Sequence, residues 1–184
     1  DYSSEMKISD QILKRNGDTY RRIRNTARFL LSNLSDFDPS KNQKKVHDLV
    51  LLDQLAIQRV SVLNEQIKNE YNNYSFHKIV QLLHNFCVND MGGFYLDILK
   101  DRLYTMPANS SGRRSAQTAL YIIAESLTRW IAPILSFTSE EIWKHLPERK
   151  EESVFLSEWL DIDNPESNVD WDQLNEINTI VLKA

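Results

Sequence analysis

Apolar residues return at helical spacing through most of this chain. Tyr20, Ile23, Ala27, Leu30, Leu31 and Leu34 mark one face of a helix beginning near Asp18. That helix should stop before Asp36-Phe37-Asp38-Pro39, which reads as a turn, and a shorter helix around Asp10–Arg15 leads into it. A second stripe, Leu52, Leu55, Ala56, Val60, Leu63 and Ile67, predicts a helix over 48–72 closed by Asn72-Asn73. Ser75 can cap a third helix, which carries Phe76, Ile79, Val80, Leu83, Phe86 and Cys87. Gly92-Gly93 is expected to kink it, with Phe94–Tyr104 continuing in helical pattern. A loop at Pro107–Gly112 separates it from a fourth helix through Ala119, Ile122, Ile123, Leu127 and Trp130, ending near Pro133.

Thr138-Ser139-Glu140-Glu141 has the form of a capping box, with Thr138 at the N-cap and Glu141 at N3. Phe137 and Ile142 then occupy the positions of a hydrophobic staple, and the helix should run to Leu146-Pro147. A weaker box, Asp170-Trp171-Asp172-Gln173, opens a last helix, and Ser153–Asn168 between the two looks irregular. With neither repeats nor low-complexity tracts, the pattern predicts an all-α fold, an antiparallel helical bundle of four long helices plus short ones.

Composition narrows the function classes. At 184 residues and 41% apolar, the chain can build one sizeable core. No uninterrupted apolar stretch approaches the length of a membrane span, and Asp1-Tyr2-Ser3-Ser4-Glu5 opens without the basic and apolar regions of a signal peptide. The single Cys87 rules out an internal disulfide and fits a reducing compartment. The net charge of −4 is unevenly spread: residues 138–184 carry −8 and residues 1–137 carry +4. A nucleic-acid binder needs a local basic surface rather than a high overall pI, and the asymmetry permits one in the first three quarters and disfavours it in the tail.

The first helix supplies a candidate. Arg21, Arg24, Asn25 and Arg28 stand at i, i+3, i+4 and i+7, opposite the apolar stripe, with Arg22 beside them. No acid occurs between Asp18 and Asp36, so these four arginines are expected to lack partners within their own helix. Like charges at such spacing repel mildly. The stripe therefore points either to an external polyanion or to acids from a neighbouring helix. Arg113-Arg114 open the fourth helix, where cations oppose the helix dipole. They suit a phosphate there, or else splay into solvent. Lys41, Lys44 and Lys45, near His47, read as a solvated basic loop. Lys100-Asp101-Arg102 contains its own ion-pair partner and reads as structural. His77, His84 and Cys87 share a helix face, but with no second ligand pair and no CxxC they read as packing rather than a metal site. The four tryptophans read as core anchors. No Gly-rich phosphate loop, nucleophile–base motif or metal-carboxylate motif is present, so no catalytic, cofactor-binding or metal residue is assigned.

Four segments resemble a known family. Tyr20-Arg21-Arg22-Ile23-Arg24-Asn25-Thr26-Ala27-Arg28-Phe29-Leu30-Leu31-Ser32-Asn33-Leu34 is similar to the opening helix of the anticodon-binding domain of isoleucyl-tRNA synthetases. The runs Phe94–Thr105, Arg113–Leu120 and Ala132–Trp143 match the same pattern, in the same order. The resemblance covers nearly the whole chain, and its form looks bacterial or organellar. The family's HIGH-type and KMSKS-type catalytic motifs, its editing domain and its C-terminal zinc segment do not occur in this sequence.

The resemblance implies a catalytically inactive piece of a larger ligase that charges tRNA(Ile) with isoleucine. Residues 1–17 would be a connector from the catalytic core, 18–147 the anticodon-binding bundle, and 148–184 an irregular segment and final helix. ATP, Mg and zinc would belong to other parts of the parent. The partners would be tRNA(Ile) and the other domains of the same polypeptide, in a cytoplasmic monomer without membrane contact. Arg21, Arg24, Asn25 and Arg28 are the expected tRNA-facing residues, with Arg22, Arg113 and Arg114 as secondary candidates. An all-α protein-interaction module with no RNA role is the alternative.

Overall fold

The structure, a computed structural model, describes residues 5, 7–148, 151–165, 171, 173, 174, 176 and 180. Among them the elements are helical, without strands. Helix α1 spans Asp10–Ser32, capped by the Ser9 hydroxyl, which accepts from the Ile12 amide. The two helices expected over this stretch are therefore one. Asp10 in the first turn suits the positive helix end, and Gly17 does not interrupt the rod. A one-turn helix α2 (Pro39–Asn42), N-capped by Asp38, and a 3₁₀ turn at Val46–Asp48 lead to α3 (Leu51–Asn72).

Helix α3 ends in a Schellman arrangement. The Ser75 amide donates to Glu70 O and the Tyr74 amide to Tyr71 O, with Tyr74 in the left-handed region at φ 54°. This reverses the chain into α4 (Phe76–Asn85), a π-helical segment (Phe86–Tyr95) and α5 (Leu96–Thr105), which follow one another without a break. The expected kink at Gly92-Gly93 is instead a widened helix. The two glycines fit that widening: a Cβ at Gly92 would lie 3.1 Å from Cys87 O, and one at Gly93 3.2 Å from Val88 O. The π register turns Asp90, Met91, Phe94 and Tyr95 all towards the interior.

Helix α6 (Ser111–Ile131), capped by the Ser110 hydroxyl, runs through the centre and packs against α1, α3 and α5. Helix α7 (Ser136–His145) folds back onto it. The core joins Leu30, Leu55, Ile57, Ile67, Leu83, Phe86, Leu127 and Trp130 in one cluster. Trp130, Trp143 and Trp171 are buried in it, and Trp159 is half-buried at its edge. Trp130 donates its indole N–H to Asn64.

The capping box at Thr138 is not used as the sequence suggests. The first bond of α7 runs from the Ser139 amide to Leu135 O, so the N-cap is Leu135 and Thr138 lies inside the helix. Tertiary partners outweigh local capping here. The Ser139 hydroxyl is buried and donates to Thr128 O, and Thr138 Oγ1 shares a hydrogen bond with the Tyr20 hydroxyl at 3.2 Å. The staple fails as well, because Phe137 points into solvent while Ile142 is buried.

After α7 the chain forms an irregular strap, with one 3₁₀ turn at Val154–Leu156. The Glu140 carboxylate receives Ser153 Oγ and the Val154 amide, Trp143 Nε1 donates to Glu151 O, and Arg129 Nε to Glu158 O. Asp170 and Asp172 of the last expected capping box lie outside the described residues. Trp171 is helical and buried, and its indole donates to Asp90 at 3.0 Å.

Candidate nucleic-acid interface

Helix α1 is amphipathic. Ile23, Thr26, Ala27 and Leu30 are buried, while Arg21, Arg22, Arg24, Asn25 and Arg28 are all exposed. The stripe lies along a groove of about 540 Å³ between α1 and α7. Arg24, Asn25 and Arg28 line it from α1, and Thr138, Glu141 and His145 from α7, with Ala27, Leu31 and Ile142 as its apolar lining.

The charges of the stripe are only partly answered. Arg21 meets Asp18 of its own helix at 2.8 Å, which corrects the expectation that no partner lies within α1. Asp18 sits one turn earlier, at i,i+3 reach. Arg24 lies 3.8 Å from Glu141 of α7. Both pairs are exposed, and such pairs are weak. Arg22 and Arg28 have no ion pair among the described residues, which leaves four guanidinium groups against two carboxylates.

Arg113 and Arg114 are arranged differently. Both are largely withdrawn from solvent, their side chains 16% and 11% exposed. Arg113 forks onto both oxygens of Asp36 and also donates to Leu103 O. Arg114 donates to Asp36 O, Gln117 Oε1 and Asn109 Oδ1. Gln117 in turn donates to Asp36 and to Asn33 O. The Arg113 hydrogen bond, aided by Gln117, holds the Asp36 carboxyl below its ordinary value despite some burial. The pair neither splays into solvent nor lies bare at the helix N-terminus; it ties the turn after α1 to the start of α6.

A further arginine joins a buried network that the sequence did not reveal. Arg102 pairs with Asp53 of α3 through two contacts of 2.7 Å, not with its neighbour Asp101. Asp53 is fully buried and also receives the hydroxyls of Tyr95 and Ser115. Burial, then the Asp53 charge, pushes the Tyr95 phenol well up. Lys100 meets Asp97. In the basic loop, Lys41 pairs with Asp38 and Lys44 reaches Ser111.

Burial pushes the Cys87 thiol up to about 12, which holds it protonated at neutral pH. No cluster of three or more His, Cys, Asp or Glu able to hold a metal occurs among the described residues. No helix among them is long and apolar enough to cross a membrane.

Sequence reasoning found the α1 side of the groove and missed the α7 side. Thr138, Glu141, Ile142 and His145 stand at i, i+3, i+4 and i+7, the same spacing as Arg21, Arg24, Asn25 and Arg28. That repeated spacing is a signal in its own right, but a capping role for Thr138 and Glu141 masks it.

A family described as the anticodon-binding domain of tRNA ligase matches residues 53–184. The isoleucine–tRNA ligase of Halorhodospira halophila is 54% identical over 98% of this chain, and that of Teredinibacter turnerae 50% identical over all of it. The isoleucine–tRNA ligase of Buchnera aphidicola subsp. Acyrthosiphon pisum is 56% identical over 87% of this chain. The chain spans about a fifth of the length of these relatives, 20% of the first two and 17% of the third.

Proposed function

This chain belongs to the family of tRNA-ligase anticodon-binding domains, and we propose that it holds the anticodon stem-loop of tRNA(Ile) as part of a larger isoleucine–tRNA ligase. The observation that carries the reading is the exposed α1 stripe along the α1–α7 groove, with Arg22 and Arg28 unpaired among the described residues. Guanidinium forks give two parallel hydrogen bonds to a phosphate, so Arg21, Arg22, Arg24 and Arg28 grip the RNA backbone. Asn25 and Thr138 carry neutral donors and acceptors suited to the edges of unpaired loop bases. Arg113 and Arg114 act one step back, by fixing the turn that follows α1.

The parent enzyme, on this reading, charges tRNA(Ile) with isoleucine at the expense of ATP, in the cytoplasm and as a monomer. ATP, Mg and zinc are bound by its other domains, and this chain contributes recognition without chemistry. On the protein-interaction alternative the stripe pairs with acidic residues of another helix, those of the acidic C-terminal part among the candidates. Among the described residues only the long Arg24–Glu141 pair supplies that contact.

The test is titration of the chain with a tRNA(Ile) transcript, against the same transcript with its anticodon exchanged. Preference for the native anticodon supports a reading module. Binding without preference leaves a backbone clamp, and absence of binding at low salt removes the proposal.

A further inference from the structure

Phe137 is the most exposed large apolar side chain among the described residues, at 94%. Singly exposed apolar residues are common on protein surfaces and need no explanation by themselves. This one differs in where it stands and how it is held. It is the second residue of α7, and its neighbour Thr138 lines the α1–α7 groove. The backbone beneath it is fixed on both sides. Ser136 Oγ donates to Ala132 O, Thr138 is tied to Tyr20, and the buried Ser139 donates to Thr128 O. The local task that sequence suggests for Phe137, a staple onto Ile142, is not performed. The helix begins at Ser136, and the ring is left in water.

The charge around it also fits an RNA ligand. Two acids follow in the next turn, the first held by the strap and the second in a weak, exposed pair. Glu140 Oε2 holds Ser153 Oγ and the Val154 amide, and Glu141 faces Arg24. The other charges at this end of α1 are Asp18, paired with Arg21, and the arginine stripe itself. A flat apolar ring on a helix turn, one residue from Thr138 of a groove that Arg24 and Arg28 also line, has the composition of single-strand sites, where cations follow the backbone and aromatic side chains stack bases.

We propose that Phe137 is a stacking platform for an unpaired base of the bound RNA loop, an inference that rests on the RNA-binding reading above. The base face lies on the ring while the arginines of α1 hold the neighbouring phosphates. Stacking is tolerant of base identity, so Phe137 contributes grip on the loop rather than choice of anticodon.

The test measures binding of the chain to an RNA hairpin of the anticodon stem-loop, with a fluorescent adenine analogue placed in turn at each loop position. The blunt duplex of the same stem serves as the control. Phe137→Ala should weaken hairpin binding by on the order of ten-fold, abolish quenching at one loop position, and leave duplex binding unchanged. Phe137→Trp should retain both affinity and quenching, whereas Phe137→Leu, apolar but not flat, should behave like alanine. An exposed side chain leaves the melting temperature of all three variants close to that of the parent. If the parent chain binds the hairpin and Phe137→Ala binds it equally well with the same quenching, stacking is wrong and RNA binding stands. If the parent chain binds no hairpin at low salt, both readings fall.

Discussion

Arg113 grips Asp36 with both terminal nitrogens, Nη1 on Oδ2 and Nη2 on Oδ1, across 77 residues of sequence. This contact separates two kinds of arginine in the chain. Those on α1 point outward, while those opening α6 are structural. Arg113→Ala should therefore lower stability by about 1–2 kcal/mol, since Asp36 is 39% exposed and the loss falls below that of a fully buried pair. Arg28→Ala, in contrast, should stay within about 0.5 kcal/mol of the parent. Chemical denaturation of both variants checks the contrast; equal losses would contradict it.

The same pair sets a pH dependence. The folded Asp36 carboxyl titrates below its ordinary value, so its contribution is fully present above about pH 4 and is lost as the pH falls through the lowered value. The gap in thermal midpoint between the parent and Asp36→Asn should be widest near neutrality and close in acid. A gap that widens on acidification would show that Asp36 is not held as described.

Asp53 is the most consequential polar residue of the core. It is fully buried beneath Arg102, Tyr95 and Ser115. Asp53→Ala leaves the Arg102 guanidinium without its counter-charge and should cost about 3–5 kcal/mol. A loss below about 1 kcal/mol in urea titration would mean that the pair is hydrated and replaceable.

The π segment predicts a sign reversal. Replacing a glycine inside a regular helix by alanine ordinarily gains about 0.5–1 kcal/mol. At Gly92 the new Cβ meets the Cys87 carbonyl at 3.1 Å, so Gly92→Ala should lower the melting temperature instead. A raised melting temperature would place an ordinary α-helix over Phe86–Tyr95.

How much was legible in the sequence follows from the range of the forces involved. The long helices could be read because their apolar stripes repeat within each helix, and the α1 stripe because its members lie a turn apart. The Asp53 network could not, since Tyr95, Arg102 and Ser115 reach it from 42, 49 and 62 residues away. The start of α7 was misplaced for a related reason. The Thr138–Glu141 pattern is a valid local cap, but Tyr20, 118 residues away, and Thr128 of the preceding helix claim its turn. Arg113 and Arg114 looked out of place beside a helix N-terminus until Asp36 was brought to them.

Whether the α1 stripe grips RNA decides the functional reading. Titration of Arg24→Glu/Arg28→Glu and of the parent chain with the tRNA(Ile) anticodon stem-loop, between about 50 and 200 mM salt, addresses it at the stripe itself. The double variant should fold with an unchanged melting temperature and bind at least about ten-fold more weakly at the lower salt. Its dependence on salt should be flatter by about one unit for each phosphate that the variant no longer neutralises. A folded double variant with the parent's affinity and the parent's salt slope would contradict a grip by α1, and would place the RNA-binding surface elsewhere on the bundle.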